Sequence, residues 1–130
     1  AGNSLSLADF RGRVVLLNLW ATWCGPCVEE MPALDRLAAS HPAADFAVVA
    51  ISIDRGGMEA VQPFLADHGI ATLLPYLAPT GRAPVTAGAR GLPTSILIGR
   101  DGAEIGRLEG AAAWDGPDAK VLIQAVLASK

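Results

Sequence analysis

The chain has 130 residues, 52% of them apolar, which is enough to bury one hydrophobic core without disulfide or metal staples. A net charge of −3 and a pI near 5.2, with no run of Lys or Arg, exclude a basic nucleic-acid-binding surface. No uninterrupted apolar stretch reaches the roughly 18 residues of a membrane-crossing helix. The first residue is Ala1, not Met, and any signal or anchor segment is expected upstream of it.

In chain order, residues 4–12 read as a polar–apolar lead-in, with Leu7 and Phe10 expected against the core. Residues 14–19 form a nearly continuous apolar run with β-branched residues at its start, the pattern of a strand buried on both faces. From Cys24 the period becomes helical, with Cys27, Met31, Leu34 and Leu37 or Ala38 on one stripe. Glu29, Glu30, Asp35 and Arg36 occupy the remainder. Pro32 lies inside this helix and is expected to bend it, and Ser40, His41 and Pro42 end it.

Residues 46–53 predict a second buried strand, stopped by Asp54 and Gly56-Gly57. A helix is predicted over 58–68, with Val61, Phe64, Leu65 and His68 on one face and Gly69 as its stop. A short strand over 73–77 and a short helix over 84–90, capped by Gly91, follow. Residues 94–98 and 104–108 predict a hairpin turning through Gly99-Arg100-Asp101-Gly102. The last helix is predicted over 117–129, with Val121, Leu122, Ala125 and Val126 facing inward. No repeat, low-complexity tract or linker interrupts residues 1–130, so a single domain is expected.

Both cysteines lie in Trp23-Cys24-Gly25-Pro26-Cys27, directly after the first predicted strand and at the start of a helix. A helix N-terminus aims unpaired N–H groups and the positive end of its dipole at the first sulfur, which favours the nucleophilic thiolate. Two intervening residues bring the second sulfur within reach of the first. A structural disulfide closing so short a loop would constrain little of the unfolded chain. A zinc half-site would need two further ligands, and His41 and His68 lack ligand spacing. Thiol–disulfide exchange is the reading that remains.

The order strand, helix, strand, helix, hairpin, helix resembles the thioredoxin fold, a central mixed sheet flanked by helices. Trp20-Ala21-Thr22-Trp23-Cys24-Gly25-Pro26-Cys27 resembles that family's active-site run, and Pro32 matches its helix proline. Gly91-Leu92-Pro93-Thr94 resembles the segment that carries its cis-proline, and residues 106–110 resemble its closing loop. Within the superfamily the chain is most similar to the extracytoplasmic reductases of the TlpA/ResA/CcmG type, and to TlpA-like proteins in particular. The lead-in over 7–13, Asn18 in place of a buried Asp, Glu30-Met31-Pro32-Ala33-Leu34, and a helix-plus-strand insertion at about 57–80 carry that likeness. So does the stretch from Gly91 through Trp114.

The resemblance implies reduction of protein disulfides on the periplasmic face of a bacterial inner membrane, in a protein anchored at its N-terminus. The implied clients belong to cytochrome c or oxidase copper-site assembly. The implied electron donor is a membrane protein of the DsbD/CcdA type. Neither a cofactor nor a metal is implied, and a monomer is expected.

Cys24 is expected to attack the substrate disulfide and Cys27 to resolve the mixed disulfide. Pro26 stiffens the turn at little cost in hydrogen bonding, and Gly25-Pro26 between the cysteines resembles the reducing members of the superfamily. Glu30, three residues beyond Cys27, returns toward the cysteine face. Periodicity leaves it either an ordinary helix-surface Glu or a carboxylate that manages the thiol proton; the resemblance implies the second, at an exposed helix position that contributes little to folding. Asn18 is expected to be buried and to need hydrogen-bond partners.

Pro93 reads either as a strand-edge proline or as a cis residue. The cis reading lets Leu92 offer its backbone to an extended substrate. Trp23 either covers the sulfurs or contacts a partner, with core filling as the alternative. Trp20 and Trp114 read as packing, and His41 and His68 as helix-end residues. Two other functions on the same fold are weighed. A Sco-type copper chaperone would need Cys-x3-Cys and a histidine near Leu92-Pro93. A thiol peroxidase would place its cysteine in Thr-x-x-Cys with a nearby arginine, for which Arg90 is the candidate.

Overall fold

The computed structural model describes residues 12–41, 45–54, 57–73, 76–77 and 91–128. Within them runs one mixed five-stranded sheet, ordered β3-β2-β1-β4-β5. Its strands are β1 (Val14–Trp20), β2 (Phe46–Ser52), β3 (Tyr76–Leu77), β4 (Thr94–Ile98) and β5 (Glu104–Glu109). The helices are α1 (Gly25–Ala39), α2 (Met58–Asp67) and α3 (Pro117–Ala128). The lead-in through residue 11 and the short helix expected over 84–90 lie outside the described residues.

The continuous apolar run of β1 has its physical reason in its central place. All seven residues are buried, β2 pairs with it in parallel on one side, and β4 pairs antiparallel on the other. Strand alternation then divides the core. Val14, Leu16 and Trp20 join Met31, Leu34 and Leu37 of α1, together with Val61, Leu65 and Ile123. Val15 and Leu17 join Val49, Ile96 and Ile98 in a second cluster. Burial of each such Leu, Ile or Val contributes about 1.5–3 kcal/mol, so β1 is the rigid floor from which the cysteine turn rises.

The hairpin closes as its sequence requires. Gly102 adopts φ 86°, and Gly102 N–H donates to the Gly99 carbonyl at 2.9 Å. Gly69 stops α2 with φ 68°, and the following Ile70 N–H reaches back to the Leu65 carbonyl at 2.9 Å.

Three expectations need correction. Gly106 belongs to β5, so the closing loop begins at Gly110 (φ 99°) and not at residue 106. His68 keeps the face of Phe64, its ring stacked on that ring at 3.9 Å, but lies at the C-cap of α2 and is exposed. In α3 the buried stripe runs through Ala119, Ile123, Val126 and Leu127, while Val121 and Leu122 are exposed. Residues 121–127 are apolar nearly all round, so periodicity alone left the phase of that helix ambiguous.

Candidate active site

The site begins where β1 ends. Ala21 is fully buried, and Cys24 N–H donates to the Ala21 carbonyl at 3.1 Å, which closes a turn. Cys24 is the N-cap of α1, in extended conformation (φ −96°, ψ 108°). Its Sγ accepts the Cys27 N–H at 3.3 Å, so the sulfur occupies the place usually taken by a capping oxygen. Pro26, in the first helical turn, withholds no hydrogen bond the helix needs.

The two sulfurs are joined as a disulfide. Cys27 is wholly buried, Cys24 retains 7% exposure, and Gly25 and Pro26 are exposed beside them. Trp23 is 69% exposed, which removes the core-filling reading of that side chain.

Glu30 departs from expectation. It is only 2% exposed, so it is a core residue and not a helix-surface carboxylate. Its Oε1 accepts Asn18 Nδ2 at 2.9 Å. Its Oε2 accepts both the Ala112 N–H and the Trp114 indole N–H at 2.8 Å. Burial pushes the Glu30 carboxyl above the ordinary carboxylate range, while the donors from Ala112, Trp114 and Asn18 pull it back.

Asn18 on β1 is fully buried and also donates to Ser95 Oγ at 2.9 Å, which joins β1, β4 and α1 through one amide. Trp114, read from sequence as packing, is therefore also a donor to the carboxylate. No local periodicity links it to a residue 84 positions earlier.

A second carboxylate escaped the sequence reading. Asp54, taken as a strand stop, is 7% exposed and lies just past β2. Its two oxygens accept the Thr22 N–H at 3.2 and 3.0 Å, and Oδ1 accepts the Thr22 hydroxyl at 2.6 Å. Its Oδ2 accepts the Ser52 hydroxyl, whose oxygen in turn accepts the Asp54 N–H at 3.0 Å. The signal was an Asp two residues after Ser52 at a strand end, together with a Thr two residues before the first cysteine.

The fourth segment comes from β4. Leu19 pairs with Thr94, which sets Pro93 at the same end of the sheet as the cysteine turn. The Leu92–Pro93 bond is cis. Pro93 is buried, Leu92 is half-buried, and the Pro93 carbonyl accepts the Gly110 N–H at 2.8 Å. His41 and His68 both lie at helix ends, their Nδ1 atoms against the carbonyls of Leu37 and Phe64. Among the described residues no three His, Cys, Asp or Glu side chains converge in a way that could hold a metal ion. No described helix is long and apolar enough to cross a membrane.

The chain is similar to several known proteins. A family model named Redoxin matches residues 1–121. The thiol-disulfide oxidoreductase ResA of Bacillus anthracis is 33% identical over 110 residues, covering 84% of this chain and 62% of that protein. The thioredoxin-like protein YneN of Bacillus subtilis is 50% identical over 52 residues, 40% of this chain and 30% of its own length. A solved structure described as the thiol:disulfide interchange protein DsbE of Chlorobium tepidum superposes with a TM-score of 0.82 at 34% identity. That match covers 93% of this chain and 84% of that one. The chain thus spans about three fifths of the length of its ResA relatives.

Proposed function

Because the chain belongs to the redoxin family, we propose that it is a thiol–disulfide oxidoreductase that reduces disulfides in protein substrates. The observation that carries this reading is the placement of Cys24 Sγ as the cap of α1, receiving the Cys27 N–H, with Cys27 buried behind it. An N–H and the positive end of a helix dipole directed at a sulfur stabilise it as thiolate.

In the reduced protein, the Cys24 thiolate attacks one sulfur of the substrate disulfide, forming a mixed disulfide and expelling the other sulfur as thiolate. Cys27 then gives up its proton and attacks the Cys24 sulfur. The second substrate sulfur leaves, and the Cys24–Cys27 disulfide remains. Two electrons pass to the substrate, and its two thiolates are protonated by the proton that left Cys27 and by one from solvent. Glu30, one helical turn beyond Cys27, is the group to take the Cys27 proton, because burial raises its affinity for one. Trp23, Gly25, Pro26, Leu92 and Pro93 form the surface against which the substrate segment lies, supported by the exposure of the first three and by the shared sheet end of the last two.

The finer reading is a role in assembling c-type cytochromes or the copper site of a terminal oxidase. It places the protein on the periplasmic face of a bacterial inner membrane, held by an N-terminal anchor and re-reduced by a membrane donor of the DsbD/CcdA type. The ResA and DsbE likenesses and the Gly-Pro pair between the cysteines support it.

A Cys27→Ser variant tests both levels. It is expected to accumulate a mixed disulfide through Cys24, from which mass spectrometry identifies the client. A purified parent protein that fails to accelerate reduction of a protein disulfide by dithiothreitol would overturn the activity. Trapped partners unrelated to haem or copper assembly would overturn only the finer role.

A further inference from the structure

We propose that Asp54 is a positioning residue for the exchange reaction: its carboxylate fixes the Ala21–Cys24 turn and thereby the seat of the Cys24 sulfur on α1. The inference rests on the reading of Cys24 as the attacking thiol. Three observations carry it. The Asp54 carboxylate is buried, and it accepts both the backbone N–H and the side-chain hydroxyl of one residue, Thr22, which fixes that residue's backbone and its rotamer together. The residues before Asp54 are themselves tied to β1, since Ile53 N–H donates to the Trp20 carbonyl at 3.0 Å. The restrained turn ends in Cys24, whose own N–H is spent on Ala21 and whose Sγ must meet the Cys27 N–H.

A buried carboxylate is a costly way to hold a loop for stability alone. A hydroxyl could accept one N–H at lower desolvation cost. A two-oxygen acceptor is what secures an N–H and a hydroxyl on the same residue at once. Release of Thr22 would let the turn and the Cys24 cap drift, weakening the N–H interaction on which a stabilised thiolate depends. The charge of Asp54 acts with the opposite sign, because a nearby anion disfavours a second one. The two effects are therefore separable by substitution. Glu30, the other buried carboxylate near the pair, stays unchanged in every variant below.

The test is iodoacetamide alkylation of the fully reduced protein against pH, with Cys24 and Cys27 resolved by mass spectrometry, in the parent, Asp54→Ala, Asp54→Asn and Thr22→Val. If Asp54 positions the turn, Asp54→Ala moves the Cys24 midpoint upward by about one pH unit. At pH below the midpoint, alkylation then slows about threefold, because a tenfold loss of thiolate is offset about threefold by greater intrinsic nucleophilicity. Thr22→Val, which deletes only the hydroxyl donor and keeps the Asp54 charge, moves the midpoint the same way by less. Asp54→Asn, which retains an acceptor, lies between parent and Ala.

Equal downward shifts in Asp54→Ala and Asp54→Asn would show that charge alone matters and would overturn the proposal. So would a lowered melting temperature with superimposable Cys24 profiles. Should Asp54→Ala fail to fold, Thr22→Val decides, and an unmoved profile in that variant refutes the proposal. Alkylation does not depend on any protein substrate, so an inactive parent would refute the reductase reading without touching this result.

Discussion

Glu30 and Asp54 are both carboxylates with less than a tenth of their surface exposed, and both are tied to the segment around the cysteine pair. They are held by different means. Glu30 collects its donors from residues 12, 82 and 84 positions away, on β1 and on the loop after β5. Two of its three donors, the Ala112 N–H and the Trp114 indole N–H, cannot turn round and accept. Asp54 is bonded to Ser52 and Thr22, 2 and 32 positions away, and two of its donors are hydroxyls that can rotate to either role. The difference teaches that Glu30 is a product of the finished tertiary structure, with a fixed demand for an acceptor. Asp54 belongs to one end of two neighbouring strands and sits in a more forgiving cage.

The largest expected effect separates the two by stability. Glu30→Ala strands three N–H donors in the core and is expected to cost about 3–5 kcal/mol, at roughly 1–3 kcal/mol for each unmet group less some relaxation. Asp54→Ala is expected to cost about 1–2 kcal/mol, because hydroxyls re-pair and the turn reaches water. Urea unfolding measures both, and equal losses would break the contrast.

Trp114→Phe comes next, at about 2 kcal/mol, since it removes one charge-assisted bond and some ring volume. It also withdraws a donor that lowers the Glu30 pKa, so the carboxyl titrates at still higher pH. Infrared titration of the carboxylate band, with Glu30→Gln as the assignment control, reads that shift. An unmoved band would detach Trp114 from the electrostatics of the site.

Glu30→Gln is a gentler change that imitates the protonated acid. Rotation of the Asn18 amide would turn Oδ1, which is buried without a partner among the described residues, toward the new NH₂ group. The sign of its pH effect follows from proton binding. The folded carboxyl holds its proton to higher pH than the unfolded one, whose ordinary value is 4.5. Parent stability is therefore fully present below that value and falls as pH rises through the folded pKa. The Gln variant lacks this decline, so its melting temperature gains on the parent's with rising pH. A constant difference from pH 4 to 8 would contradict the raised pKa.

The smallest effect is additivity. Among the described residues Glu30 and Asp54 share no hydrogen-bond partner, so the stability changes of Glu30→Gln and Asp54→Asn are expected to sum within about 0.5 kcal/mol. A larger coupling would make the two cages one.

Sequence pattern disclosed the parts of this molecule that depend on near neighbours. The strands over 14–20 and 46–52, the Asp-Gly hairpin and the stop at Gly69 were legible because period, turn chemistry and glycine conformation are local. The cysteine motif was legible because its chemistry needs only a strand end and a helix start. Glu30 could be singled out from its spacing to Cys27, but its burial could not, since Ala112 and Trp114 arrive from more than 80 residues downstream. Asp54 was misread for the same reason on a smaller scale. Its partner Thr22 adjoins it only after β1 and β2 pair in register. The face of α3 failed differently, because too many apolar side chains offered too many phases.

Arg100, in the hairpin turn, donates to the carbonyls of Gly12 and Leu127 at 3.0 Å each, and its own carbonyl accepts the Gly12 N–H at 2.8 Å. One guanidinium thus gathers the point where the described chain reaches the sheet and the last turn of α3 at a single pole of the molecule. The cysteine turn lies at the other pole, beyond the six residue steps of β1, or about 20 Å. Gly12 and the last turn of α3 therefore share the pole opposite the sulfurs, and a probe attached at either would stand clear of a substrate at the cysteine turn.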